Sequence, residues 1–215
     1  MNGSRRWPVT AWRRLLERAL RVLEGAEHHA AWSLGGGTAL ALRLHHRVSY
    51  DVDLFFEDFA ALRALSPNRN PVAREVADRW QEPGNYIKLE CAEGAIDFIV
   101  AGRQTELMPW DYPFSGEMIT VEQPAEIVAK KLKYRGSRLL PRDIFDILAL
   151  EQHDPRQLAL AVRAVPDGAR RAADRIERMA ERYVATIREE VNPTTGGVAL
   201  LEADPRVATA ALRAG

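Results

Sequence analysis

LGGGTALALRLHHRVSYDVDLFF, residues 34–56, decides how the rest of the chain is read. It parses as the end of a strand, a glycine turn, a helix and a second strand carrying two carboxylates. Asp51 and Asp53 are one residue apart and are flanked by Val52, Leu54, Phe55 and Phe56. Side chains alternate along a strand, so both acids point to the same face. Acids on an apolar strand are costly unless they are paired or hold a metal. Two neighbouring carboxylates, with oxygen-only ligation and room for substrate phosphates, suit Mg2+. Upstream, Gly35-Gly36-Gly37 lets backbone N–H groups approach an anion closely. The helix that starts at Thr38 turns its N-terminus, which favours phosphate, toward the same place. A phosphate cradle followed by a metal-binding acid pair suits chemistry that moves phosphates.

The 215 residues allow one domain with a small addition, or two small domains. At 47% hydrophobic and 28% charged residues the composition is that of an ordinary soluble globular protein with a sizeable core. Lys+Arg (30) balances Asp+Glu (30), so net charge gives no sign of nucleic-acid binding and leaves only a local patch open. The single cysteine, Cys91, excludes an intramolecular disulfide and a cysteine zinc cluster. The five histidines show no metal-ligand spacing, and the adjacent His45 and His46 diverge on a helix. No apolar run approaches the roughly 20 residues that span a bilayer. MNGSRRWPVTAW, at the start, has no apolar stretch after its arginines and does not read as a secretory signal. The expectation is a cytoplasmic protein with no membrane attachment.

Working outward, residues after Thr10 form an amphipathic helix with Leu15, Leu16, Ala19, Leu20 and Leu23 on one face, ended by Gly25. Residues 32–34 are the entry strand, 38–45 the short helix and 51–56 the acid-bearing strand. Segments 58–65 and 71–81 read as short helices around a turn-rich SPNRNP. Segments 85–91 and 95–101 read as a hairpin about Glu93-Gly94, and 119–121 as another short strand. From Pro124 the chain turns helical: 124–136, 141–154, a segment PRQLALAVRAV, and an arginine-rich helix over 167–190. NPTTGG, residues 192–197, reads as a linker before a short helix or tail. The fold class is therefore α+β: a mixed β-sheet flanked by helices, followed by a C-terminal helical bundle region. The expected units are an α/β core over 1–122, a helical region packed on it over 123–191, and a linker and tail over 192–215.

A third acid, Asp97, lies in the apolar strand Ile96-Asp97-Phe98-Ile99-Val100. If this strand neighbours the one bearing Asp51 and Asp53, three carboxylates converge. Two metal ions about 3.5–4 Å apart need such a cluster. The competing reading for any one acid is a strand-edge carboxylate paired with an arginine; three in this order behind a glycine turn favour the metal. Lys131, Arg135, Arg138 and Arg142 recur at helical spacing, although Gly136 and Pro141 interrupt the face. Lys131 shares the inward face with Ile127 and Val128, while Lys130 should lean outward. A lysine near the core needs an anion, which a triphosphate supplies; the alternative is a snorkelling surface lysine. Asp143 and Asp146 open a helix, where acids favour the dipole, or Asp146 orients Lys131. Arg47 and Ser49 either contact phosphates and support Asp51 or sit in a solvated loop. The arginine-rich helix interleaves Arg170, Arg171, Arg175, Arg178 and Arg182 with acids, the pattern of a salt-bridged exposed face.

The glycine pair, short helix, acid–apolar–acid strand and later apolar–acid–apolar strand resemble the motif set of polymerase-beta-type nucleotidyltransferases. More narrowly, GGTALALRLHHRVSYDVDLF resembles the signature of AbiEii-like nucleotidyltransferases, toxins of type IV toxin–antitoxin pairs. The shared elements are Gly36-Gly37-Thr38, the pair His46-Arg47, and Ser49 two positions before Asp51. Lys131-Leu132, Arg138 and Arg142-Asp143-Ile144-Phe145-Asp146 are similar to that family's second block. The matches span residues 34–150. The resemblance implies a nucleotidyltransferase fold and transfer of a nucleoside monophosphate from an NTP to an acceptor hydroxyl, releasing pyrophosphate. Asp51, Asp53 and Asp97 would hold two Mg2+ ions, Asp97 also helping to deprotonate the acceptor. Gly36 and Gly37 would cradle the β- and γ-phosphates and Lys131 would neutralise the leaving group. The nucleotide site would draw further on Thr38, Arg47, Ser49, Arg138, Arg142, Asp143 and Asp146. It also implies an RNA acceptor, the tRNA 3′ end, and a cognate antitoxin partner. Two other readings compete: a protein or small-molecule hydroxyl as acceptor, and a catalytically silent domain that binds RNA or protein. The intact set of three acids argues against the silent domain.

Overall fold

A computed structural model describes residues 7–214. Helix α1 (Trp12–Glu24) buries Leu15, Leu16, Ala19 and Val22; Leu20 and Leu23 are only partly covered at the edge of its apolar stripe. Strand β1 (Trp32–Gly35) runs directly into helix α2 (Gly36–Leu44), and β2 (Val52–Phe56) returns antiparallel to β1, with Gly35 opposite Asp53. Helices α3 (Phe59–Ala64) and α4 (Pro71–Val76) each start on a side-chain cap, Asp58 accepting from Ala60 N–H and Asn70 from Val72 and Ala73 N–H.

The helix expected over residues 71–81 stops at Val76. Ala77 is extended, the Asp78 N–H donates to the Glu90 carbonyl, and β3 (Arg79–Gln81) pairs with Lys88–Glu90. No local breaker marks this change; the free edge of β4 (Tyr86–Cys91) supplies partners that outweigh helix propensity. β4 and β5 (Gly94–Val100) form the expected hairpin, and β5 lies parallel to β2. A second hairpin extends the single short strand expected over 119–121. β7 (Glu117–Val121) pairs with β6 (Trp110–Phe114) across Ser115-Gly116, both with positive φ. β6 tolerates Pro113 because it is an edge strand. The sheet order is β3-β4-β5-β2-β1-β7-β6, which places β5, β2 and β1 at its centre.

Four helices follow, each with proline in its first turn: α5 (Pro124–Arg135), α6 (Pro141–His153), α7 (Pro155–Ala164) and α8 (Pro166–Glu190). A 3-10 turn over residues 136–138 joins α5 to α6, and another, Val198–Glu202, precedes α9 (Val207–Arg213). Leu40 of α2, Leu54 of β2, Leu132 of α5 and Phe145 of α6 belong to one buried cluster, so the helices that carry the second basic block pack onto the sheet. Residues 192–197, expected as a linker, run beside residues 45–50 and exchange hydrogen bonds with them. No helix among the described residues is long and apolar enough to cross a membrane.

Candidate active site

The parallel register of β2 and β5 sets Asp53 beside Asp97. Asp51 precedes them by one pleat, its Oδ1 accepting from the Ala95 N–H at 3.0 Å. All three acids line one cavity of about 860 Å3, together with Gly36, Gly37, Arg47 and Ser49. The glycine turn is forced by approach: Gly36 has φ +61°, and a Cβ there would lie 2.0 Å from an Asp53 carboxylate oxygen. Thr38 is buried and its hydroxyl donates to the Asp51 carbonyl, so it fastens the acid strand and does not line the cavity.

Asp53 is pushed up to about 6, first by burial and then by Asp97, with Asp51 adding to the effect and Lys131 opposing it. Asp97 is also raised by burial, while Lys88 draws it the other way through an ion pair at 3.1 Å. Lys88 was not singled out in the sequence. The β4–β5 hairpin turns at Ala92-Glu93, one residue earlier than the Glu93-Gly94 turn read from the sequence, and that register sets Lys88 opposite Asp97, where a turn centred on Glu93-Gly94 would set Glu90.

A second charged group sits beneath the cavity wall. Asp146 is fully buried at the first turns of α6 and is gripped from three sides. Arg47 binds it through Nε at 2.6 Å and Nη2 at 3.0 Å, Lys131 Nζ lies at 3.0 Å, and His46 Nε2 at 2.7 Å. Burial alone would raise this acid, but Arg47 and Lys131 hold it well below the usual carboxylate range. Asp143, equally buried, takes Lys131 Nζ at 2.5 Å through one oxygen and the Leu140 N–H at 3.1 Å through the other. It therefore both caps α6 and fixes Lys131. Burial lowers the His46 pKa more than Asp146 raises it; the ring stacks near Phe145, and its Nδ1 has no hydrogen-bond partner among the described residues.

Lys130, expected to lean outward, is buried. Glu122 at 2.5 Å and Glu126 at 3.6 Å neutralise it, and its ammonium lies 3.9 Å from the centre of the Phe55 ring. The end of β7 and the first turn of α5 bring these two acids together, a juxtaposition no local pattern reveals. Of the basic stripe, Lys131, Arg135 and Arg142 line the cavity; Arg138 is exposed outside it. Tyr86, Tyr134, Glu189 and Glu190 also line it, the last two from the end of α8.

Among the described residues no three acidic, imidazole or thiol side chains already stand as a metal-ligand set. The donors nonetheless suit a hard divalent cation. Asp51 and Asp53 are neighbouring carboxylates, and burial beside Asp97 and Asp51 makes the charge on Asp53 costly, with Lys131 and Arg135 offsetting only part of that cost. Asp97 pairs with Lys88 through Oδ2, which leaves Oδ1 as its donor to such a set.

A family model described as "Nucleotidyl transferase AbiEii toxin, Type IV TA system" matches residues 18–211. No match was found among curated proteins. Among solved structures the chain resembles an H. pylori protein described as a nucleotidyltransferase, at 16% identity over 93% of this chain and 92% of that one, TM-score 0.45. It also resembles the antibiotic-resistance factor ANT(2'')-Ia, at 15% identity over 83% and 96%, TM-score 0.40. A third is the Bradyrhizobium diazoefficiens CD-NTase CdnG in complex with GTP, at 11% identity over 95% and 84%, TM-score 0.35. All three TM-scores are below 0.5, so these likenesses establish neither substrate nor mechanism.

Proposed function

The chain belongs to the AbiEii nucleotidyltransferase toxin family and is a nucleotidyltransferase, and from that premise we propose that it transfers a nucleoside monophosphate from an NTP to a hydroxyl of RNA, the tRNA 3′ end, in the cytoplasm. The observation that carries this reading is the charge layout of the cavity. A trio of acids with a raised Asp53 stands on the sheet, and Lys131, Arg135 and Arg142 face it from the helices. That layout accepts a cation on one wall and a polyphosphate on the other.

Asp51 and Asp53 would hold Mg2+, with Asp97 joining them. The ion would supply charge neutralisation at the reacting phosphate. The chain's own groups do the rest. The Gly36-Gly37 turn offers N–H groups to the β- and γ-phosphates, and Arg47 and Ser49 close that end. The acceptor oxygen bonds to the α-phosphorus as the bond to the bridging oxygen breaks, and pyrophosphate leaves toward Lys131 and Arg142. Asp97 takes the hydroxyl proton. Lys131 is preset for this work because Asp143 and Asp146 hold its ammonium in place and charged. Residues 1–122 serve as the nucleotidyltransferase core and 123–191 as the helical region that supplies these cations; a cognate antitoxin partner follows from the family.

The test is incubation with Mg2+, total tRNA and each α-labelled NTP in turn, with Asp53→Ala alongside. Label in tRNA with wild type alone is the expected result. Label on a protein keeps the site and changes the acceptor. No label and no Mg2+-dependent NTP binding would overturn the reading in favour of a silent binding module.

A further inference from the structure

Helix α2 ends at His45, which is left-handed with φ 49°. From there to Val52 the chain has no place in the sheet, yet it carries Arg47, Ser49 and Asp51 into the cavity. Three of its backbone groups, on His45, His46 and Val48, find their partners in a segment far along the sequence, while the Ser49 carbonyl accepts from the Thr10 hydroxyl and the Asp51 carbonyl from Thr38. The Thr194 hydroxyl donates to the His45 carbonyl, and the Thr194 N–H to the His46 carbonyl at 3.1 Å. The Val48 N–H donates to the Asn192 carbonyl at 2.8 Å, and Asn192 Nδ2 to the Tyr50 hydroxyl at 2.9 Å. Arg47 and Pro193 form an isolated antiparallel bridge. The approach is so close that a Cβ on Gly197 would lie 1.8 Å from the His46 carbonyl oxygen. Gly197 has an ordinary φ of −106°, so contact and not backbone conformation demands glycine there.

Beyond this point Leu200, Leu201, Ala208 and Leu212 are buried, and the 3-10 turn and α9 pack on α6 and α8. α6 is also the helix that holds Asp146, the partner of Arg47. One docked unit thus fixes both the Arg47 backbone, through residues 192–197, and the carboxylate its guanidinium grips. Arg47 Nη2 in turn lies only 2.5 Å from where a Cβ on Gly37 would stand, flush against the glycine turn.

We propose that residues 192–197 are a positioning element of the nucleotide site, a clasp that sets Arg47 and Ser49 against the Gly36-Gly37 turn. This rests on the reading of that end of the cavity as the phosphate end. Displacing the clasp should weaken NTP binding through Arg47 while leaving the acids of the transfer step in place.

Gly197→Ala is the direct test, because it adds one methyl group against the His46 carbonyl. The measurements are the Mg2+-NTP Kd, the split between KM and kcat, and Tm, with Gly102→Ala, whose Cβ would meet open space, as the control. Gly197→Ala should raise Kd and KM for NTP about fivefold, with a much smaller change in kcat. Combined with Arg47→Lys, it should add little to the loss that Arg47→Lys causes alone, since both act on one contact. Asn192→Ala, which removes only the Tyr50 link, should shift Kd the same way by about twofold and serves should Gly197→Ala fail to fold. If Arg47→Lys weakens NTP binding but the Gly197 and Asn192 variants do not, or if their effects simply add to it, the clasp is overturned and the site stands. If Arg47→Lys leaves NTP binding unchanged, the reading of the phosphate end fails, and the clasp with it.

Discussion

Asp53 and Asp146 are aspartates in the same protein, close enough that Lys131 acts on both, and their surroundings drive them in opposite directions. Asp53 is pushed up to about 6 by burial beside Asp97 and Asp51. Asp146 is more buried still, but three basic side chains surround it and hold it well below its ordinary range. Burial is common to both; the difference lies in whether the fold supplies the counter-charge. Around Asp146 it does, and the cluster is finished. Around Asp53 Lys131 and Arg135 offset only part of the cost, and an under-compensated acid in a cavity is where an outside cation gains most.

The largest effect should come from breaking the finished side. Asp146→Asn leaves Arg47 and Lys131 buried without their shared anion and should cost about 3–5 kcal/mol in urea unfolding at pH 7. Because the folded-state pKa of Asp146 is depressed, its contribution is present above the unfolded value of 3.8 and lost as pH falls through the folded value. The gap between wild type and variant should therefore narrow below about pH 4. A loss under about 1 kcal/mol would mean that the grip on Asp146 is ornamental.

The unfinished side should respond in the other direction. Asp53→Asn should lower transfer activity by about two to three orders of magnitude and yet stabilise the metal-free protein. The folded-state pKa, about 6, lies above the unfolded value of 3.8, so the charged form is penalised. That penalty is complete above pH 6, is relieved as pH falls through 6, and is gone below 3.8, where both states are protonated. The variant should gain on the order of 1–3 kcal/mol at pH 8 and nothing at pH 3.5. Equal stability at pH 8 would show that Asp53 is already compensated. The smallest effect sharpens the boundary of the site. Arg138 belongs to the motif but is exposed outside the cavity, so Arg138→Ala should change NTP affinity by less than about twofold and stability by less than about 0.5 kcal/mol.

The parts of the fold that were legible are those with local causes. Alternation puts Asp51 and Asp53 on one face, prolines open the late helices, and the turn residues near Glu93 mark a hairpin, although its centre lies one residue earlier, at Ala92-Glu93, and only that register puts Lys88 opposite Asp97. What escaped the sequence depends on neighbours distant along the chain. β3 forms from helix-compatible residues because β4 leaves an edge open. Lys130 turns inward because Glu122 and Glu126 wait there. His46, unsuited by spacing to zinc and known from the sequence only as part of the His46-Arg47 pair, bonds to Asp146, and no spacing rule connects residues that far apart. The candidate site shows the same division: the glycine turn and the acids could be read, but their electrostatic states could not, since those follow from which helix ends up behind which strand.

The clasp at residues 192–197 also has a meaning in time. A ribosome that has made the glycine turn and all three acids has still not made residues 192–197, which hold the backbone on either side of Arg47. Unfinished chains would then carry the acids without a properly seated nucleotide.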